Sequence, residues 1–232
     1  MQQFFIEDLK QPLLSTEQHN QCQKVLRMRQ GDQIRLVDTQ GQGGLFAFAD
    51  DSLNELEFIE PLVFNEPPIQ LTLIASLIRA ERLEWMIQKA CECGVSKIVL
   101  YSAQNGVVKD FGKRADRKME RLNSIAKEAC EQSYRQYAVK VEGIINQKDL
   151  KDYKSEHNVF TDVHAAPHIL STINDISSLT AIVGPEGGYT DNERTHFIEE
   201  GFSMVSLGTS VLRAETASMA TCILVNSGAS IL

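Results

Sequence analysis

Two hydrophobic rhythms divide the chain. Over the first 67 residues apolar positions come in short bursts, at Gln3–Glu7, Gln33–Asp38, Leu45–Ala49 and Leu53–Glu60, broken by Gly31-Asp32 and by the turn-rich run Asp38-Thr39-Gln40-Gly41-Gln42-Gly43-Gly44. Short strands at short spacing predict a small barrel. One helix is expected between the first two strands, over Ser15–Arg29, where Ser15, Thr16, Glu17 and Gln18 make a cap-like start and Cys22, Val25 and Leu26 supply apolar positions. Phe64-Asn65-Glu66-Pro67-Pro68 breaks any regular element, which sets the expected domains at residues 1–67 and 68–232.

From Ile69 the rhythm alternates between continuous apolar runs and helical spacing. Ile69–Ile78, Lys97–Tyr101, Val159–Val163, Leu179–Val183 and Ser203–Leu207 read as strands. Arg82–Cys93, Lys113–Ser133, Thr190–Glu200 and Glu215–Ser227 read as helices, the third with Thr190 and Glu193 as a capping box. Strands alternating with helices predict the α/β class, with a parallel sheet covered on both faces.

Composition adds little to this: 43% hydrophobic and 23% charged residues over 232 positions are ordinary globular usage. No apolar run approaches the ~18 residues of a membrane span, and the N-terminus lacks the order of a signal peptide, so no membrane partner and a cytoplasmic location are expected. Five scattered cysteines are expected to be reduced and mostly buried. The net charge of −8 argues against nucleic acid, yet its distribution argues the other way. Residues 79–140 carry 13 basic and 8 acidic side chains, between two flanks that are both acidic. Within this basic island Arg114, Arg117, Lys118 and Arg121 recur at i, i+3, i+4 and i+7, beside the apolar face of Met119, Leu122 and Ala126, and Arg135 and Lys140 extend the stripe. Such a stripe fits either a phosphate backbone or solvent.

Phosphate-loop, dinucleotide, zinc-protease and nucleophile-elbow motifs are not found, which leaves ATP, NAD and metal chemistry without support in the sequence. In parallel sheets ligands bind beyond the carboxyl ends of the strands. Two exits there carry glycine: Gly184-Pro185-Glu186-Gly187-Gly188-Tyr189 after Thr180–Val183, and Gly208-Thr209-Ser210-Val211-Leu212-Arg213-Ala214-Glu215-Thr216-Ala217 after Met204–Leu207. Without a Cβ, the backbone there can turn sharply and approach a flat ligand.

At these residues the chain resembles a known family. Val183–Glu193 together with Ser206–Ala217 is similar to the paired signature of the 16S ribosomal RNA uridine-N3 methyltransferases (ribosomal RNA small subunit methyltransferase E), which belong to the knotted SPOUT methyltransferases. Glu84–Val95, Ala129–Arg135 and Lys24–Asp32 match as well, so the resemblance spans nearly the whole chain. It implies a small PUA-like β-barrel that binds RNA, a C-terminal α/β domain threaded into a deep trefoil knot, S-adenosylmethionine as cofactor, 16S ribosomal RNA or the small-subunit particle as partner, and a homodimer. Carried over by position, the cofactor contacts would be Val183, Gly184, Glu186, Gly187, Gly188, Leu207, Gly208 and Leu212, with Thr161–Ala166 as another wall. The RNA contacts would be Arg27, Arg114, Arg117, Arg121 and Arg135. The chain departs from the family pattern at Thr209-Ser210 (usually Pro-Arg), Ala214 (Thr), Gln104-Asn105 (Glu-Arg) and Gln21 (often His), which bears on RNA affinity or target more than on the cofactor loops.

Methyl transfer from a sulfonium to nitrogen is an in-line displacement, so the protein must position the reactants and manage charge. Loss of the uracil N3 proton puts negative charge on the flanking carbonyls. Arg213 is the candidate to stabilise it, and Glu215 and Thr216 are candidates for orienting the base or relaying its proton. Because N3 lies on the pairing edge, the target must be unpaired or splayed out. Two alternatives stay open: a SPOUT methyltransferase acting on transfer RNA, and a non-catalytic RNA-binding factor in ribosome assembly.

Overall fold

The computed structural model describes residues 1–164 and 167–231. Its contacts divide the chain into two units: residues 1–66 with 130–138, and residues 67–129 with 139–232. The second break, at 130–138, has no counterpart in the expected linear division.

The first unit is built on strands β1 (Gln2–Phe5), β2 (Gln33–Val37), β3 (Gly43–Phe48) and β4 (Leu56–Pro61) in that spatial order, with β1 parallel to β2 and the remaining pairs antiparallel. Phe4, Ile34, Leu36, Phe46 and Phe48 from the first three strands join Cys22 and Leu53 in its core. Ser15 caps α1 (Thr16–Asn20): its side chain accepts from Gln18 N while the Gln18 side chain accepts from Ser15 N. The helix expected through Arg29 stops sooner. After a wide turn over Gln21–Val25, Arg27 takes φ of 54°, a left-handed conformation that ends helical geometry. Residues 130–138 complete this unit by hydrogen bonding: Gln3 Nε2 donates to Arg135 O (2.7 Å), Phe5 N to Glu131 Oε1 (3.0 Å), and Arg135 Nε to Glu66 Oε2 (2.9 Å).

The second unit has the expected α/β class. Strands β5 (Gln70–Ser76), β6 (Lys97–Tyr101), β7 (Lys140–Ile145), β8 (His157–Thr161), β9 (Ser178–Val183) and β10 (Ser203–Val205) form one all-parallel sheet in the order β10-β8-β9-β5-β6-β7. Helices α2 (Ala80–Glu92), α3 (Ala115–Gln132), α4 (Asp191–Glu199) and α5 (Ala214–Ile231) connect or close it. Ile74, Val99 and Ile182 turn toward a cluster in which Tyr101, Phe160, Tyr189 and Phe197 of α4 meet edge to face, with ring centroids 5.1–6.2 Å apart. Strand alternation sends Leu71, Leu73 and Ala75 the other way, where α5 packs on β5, β9 and α2. Burial on both faces explains why these strands read as continuous apolar runs.

Two local differences from expectation have physical causes. Strand β7 is an edge strand whose register skips Gly143, pairing Val99 with Glu142 and Leu100 with Ile144. The bulge disrupts the alternation that would reveal a strand. The helix expected from Lys113 instead begins with a tighter turn over Gly112–Arg114, so Arg114 precedes the α-helical register of Arg117, Lys118 and Arg121.

Candidate active site

The carboxyl ends of β8 and β9 and the segment following β10 surround a cavity of about 370 Å³. All eight positions expected from the glycine loops line it: Val183, Gly184, Glu186, Gly187 and Gly188 from the first, Leu207, Gly208 and Leu212 from the second. Thr161, Asp162, Val163 and His164 supply a further wall, while Ala165 and Ala166 of the expected run lie outside the described residues.

The glycines divide into two kinds. A Cβ at Gly184 would stand 2.9 Å from the Tyr189 ring, and one at Gly187 would stand 3.0 Å from Asn105 O, so these two let the loop press against its own support. Gly188 (φ +66°) and Gly208 (φ +124°) would point a Cβ into open space, with no atom within 4 Å. Both line the cavity, so a side chain at either would project where a ligand can lie. A cradle of this volume, walled by bare backbone and apolar side chains with Asp162, His164, Glu186 and Arg194 as polar groups among them, fits an adenosine-sized cofactor.

Buried polar groups hold the loops. The first loop closes on a turn in which Gly188 N donates to Pro185 O (2.9 Å). At its far end Thr190 and Glu193 form the expected capping box. Glu193, fully buried, also accepts from Tyr101 Oη (2.8 Å) and Gln104 N (2.8 Å). Burial and the Glu193 carboxylate together push the Tyr101 phenol well above its ordinary value, keeping it a donor. Asn105 Nδ2 donates to Gly187 O (3.3 Å), and Lys109 Nζ donates to the carbonyls of Ala103 (2.6 Å) and Gln104 (2.5 Å). On the facing wall the Asp162 side chain, 2% exposed, accepts from Arg194 Nε (2.7 Å) and pairs with His164 Nδ1 (2.5 Å). Burial works to raise its carboxyl, but these donors outweigh it and hold Asp162 below the usual carboxylate range. Arg194 also donates to Tyr189 O (2.8 Å), which fastens the β8 exit to the first glycine loop.

Arg213, Glu215 and Thr216 do come together, but not on the cavity wall. They line an adjoining depression with Glu81, Arg82 and Trp85. The cause is helical geometry: Ala217 N donates to Arg213 O (2.8 Å), opening α5, and Ala214 and Ala217 face the cavity while Glu215 and Thr216 turn away. Arg213 is exposed, whereas Glu215 is 8% exposed with Oε2 buried and, among the described residues, without a hydrogen-bond partner. Neither Arg82 nor Trp85 is a site candidate from the sequence, although Trp85 falls within the matching segment Glu84–Val95. Both have a signal in their position, just past the carboxyl end of β5, where the rule for parallel sheets places ligands.

The basic candidates separate. Arg27, Arg114 and Arg117 are exposed. Arg121 is also exposed but donates through Nε (2.6 Å) and Nη2 (2.7 Å) to both oxygens of Glu84. Arg135 is 8% exposed and paired with Glu66, so it is not on a surface that could meet RNA. Glu66 lies far away in sequence, which hid the pairing.

A family model described as "RNA methyltransferase domain" matches residues 65–226. The ribosomal RNA small subunit methyltransferase E of Bacillus subtilis (strain 168) is 32% identical, over 94% of this chain and 93% of its own length. That of Mesomycoplasma hyopneumoniae (strain 232) is 30% identical over 72% of this chain and 74% of its own. Among solved structures, a ribosomal RNA small subunit methyltransferase E from Neisseria gonorrhoeae bound to S-adenosyl methionine superposes with a TM-score of 0.86 at 28% identity, covering 96% of this chain and 95% of that one.

Proposed function

Because the chain belongs to the ribosomal RNA small subunit methyltransferase E family, we propose that it methylates N3 of a uridine in 16S ribosomal RNA, using S-adenosylmethionine. The observation that carries this reading is the convergence of both glycine loops on one cavity, with Gly188 and Gly208 leaving open space on its wall. S-adenosylmethionine, held there by Val183, Gly184, Glu186, Gly187, Gly188, Leu207, Gly208 and Leu212, supplies an electrophilic methyl group on a sulfonium.

The chain's own residues do the rest from the adjoining depression. Glu215 Oε2 is buried and, among the described residues, without a partner, so Glu215 relays the N3 proton once the base or a water seated in the depression reaches that oxygen. Arg213 offers a guanidinium to the negative charge that spreads over the uracil carbonyls. Thr216 beside them orients the base. Arg27, Arg114 and Arg117 remain the candidates for holding the RNA backbone.

The finer architecture belongs to the same proposal. We take the first unit to be a PUA-like RNA-binding barrel, and the C-terminal segment to be threaded through a trefoil knot. In support, Ser206 pairs with His168 outside the named strands, and α5 packs against the turn Ile169–Thr172. A homodimer and a cytoplasmic location complete the reading. Among the described residues no helix is long and apolar enough to cross a membrane.

The test is mass spectrometry of ribosomal RNA from a strain deleted for the gene, before and after the purified protein and S-adenosylmethionine are added. One 3-methyluridine should return in the small-subunit RNA. A methyl group that returns only in transfer RNA, or nowhere, refutes the assignment. Glu215→Gln should lower the single-turnover rate by about 10²-fold or more if it handles the proton.

A further inference from the structure

We propose that Arg82 is a positioning residue that clasps the first glycine loop to the opening turn of α5 and so keeps the cofactor cavity in register with the Arg213–Glu215–Thr216 depression. The inference rests on the functional reading above. Arg82 Nη1 stands 3.4 Å from Glu186 Oε1 and Arg82 Nε 3.8 Å from Glu215 Oε1. Glu186 is on the cavity wall, whereas Glu215 is in the depression, so a single guanidinium addresses both compartments. Its occupation of the Oε1 side of Glu215 leaves Oε2 as the oxygen without a partner, which is the oxygen assigned to the proton.

The side chains of Arg82 and Glu186 are 39% and 33% exposed, so the pair is screened and contributes little to global stability. Its consequence is geometric. A planar fork presents donors to two carboxylates in fixed directions, whereas an ammonium on a flexible stem can reach both without fixing their geometry. Arg82 sits within the first turn of α2, directly after the carboxyl end of β5, and therefore reaches both segments from a rigid element.

Trp85, one turn on and the only tryptophan in the chain, lines the same depression and reports on it without any turnover. The experiment compares Arg82→Met, Arg82→Lys, Glu186→Gln and the Met/Gln double variant. In the absence of cofactor, acrylamide quenching of Trp85 should change in Arg82→Met and in Glu186→Gln, and the double variant should change no further. With cofactor and RNA, Arg82→Met should lower kcat by about 10- to 10²-fold, the cost of a small misplacement. S-adenosylmethionine affinity by calorimetry should stay within about threefold, the split expected when positioning and not binding is lost. Arg82→Lys should recover only part of kcat. Additive quenching changes, or wild-type kcat in Arg82→Met, would overturn the clasp. A wild-type protein that neither binds S-adenosylmethionine nor methylates RNA defeats the functional reading instead, while the quenching comparison still decides the clasp.

Discussion

Gly188 holds φ at +66° with open cavity where a side chain would begin, so two effects of substitution can be separated there. Asparagine tolerates this backbone region and valine does not. Gly188→Asn should keep its melting temperature and lose S-adenosylmethionine affinity by calorimetry, because only the cavity is filled. Gly188→Val should lose both, with a strain of about 1–3 kcal/mol added. Unchanged affinity in the folded Asn variant would take this loop out of the site. Asp162 gives a second test, through pH. Its carboxyl is held below the usual range by Arg194 and His164 against its burial, so the stability it contributes is present above the unfolded value and lost as pH falls through the folded one. Asp162→Asn should therefore cost about 1–3 kcal/mol at neutral pH, the range for a charged buried hydrogen bond. In thermal melts the gap to wild type should hold from neutrality down to about pH 5 and shrink below about pH 4, where an ordinary aspartate titrates. A gap that widens with acid would contradict the assignment. Residues such as Gly188 are legible in sequence because the chemistry is a property of the residue and its strand. Arg82, Arg135 and Arg121 are not, because a charged side chain is defined by a partner the sequence does not show beside it.

Among the elements, the basic helix is the one whose meaning the structure changes most. Arg114 and Arg117 stay exposed, while Arg121 is engaged by Glu84, whose carboxyl the Arg121 hydrogen bonds hold below its ordinary value. Replacing Arg114 and Arg117 by Glu should weaken RNA binding and reduce the salt slope by roughly two, one per lost phosphate contact. Arg121→Ala should reduce it less, since its charge is already shared. Equal slopes in all three proteins would return the helix to solvent. Elements with strong local signals were readable: Thr190 and Glu193 mark the start of α4, and Lys97–Tyr101 reads as a strand because all but its first residue is buried. Strand β7 is not, since Gly143 bulges at an edge, and the helical pattern over Ser15–Arg29 runs past the end of α1, since nothing local marks Arg27 as left-handed. Gly228 in α5 is a further case: a Cβ there would stand 2.5 Å from Ile173 Cδ1 and 2.8 Å from Leu170 Cδ2, so Gly228→Val should lower the melting temperature by forcing these contacts apart. A variant that melts like wild type would show that the helix and the turn separate freely.

For the molecule as a whole, the α/β class was readable from the alternation of buried strands and helices, whereas the composition of the first unit was not. Light scattering at micromolar concentration tests the proposed homodimer, with about twice the 26.0 kDa chain mass expected and the single-chain value excluding it. On α5, Cys222 and Val225 are consumed by the core while Ile223 stays 43% exposed, so Ile223→Lys should shift that mass toward the single chain if α5 meets a second copy. The first unit also has a timetable. It needs residues 130–138, and hence the bonds from Gln3 and Glu66 to Arg135, before its contacts are complete. During synthesis the ribosome must therefore add about seventy further residues after Glu66, a wait of roughly 4–14 s at ordinary elongation rates. The N-terminal segment emerges first and finishes late, and through that interval its exposed strands are within reach of chaperones.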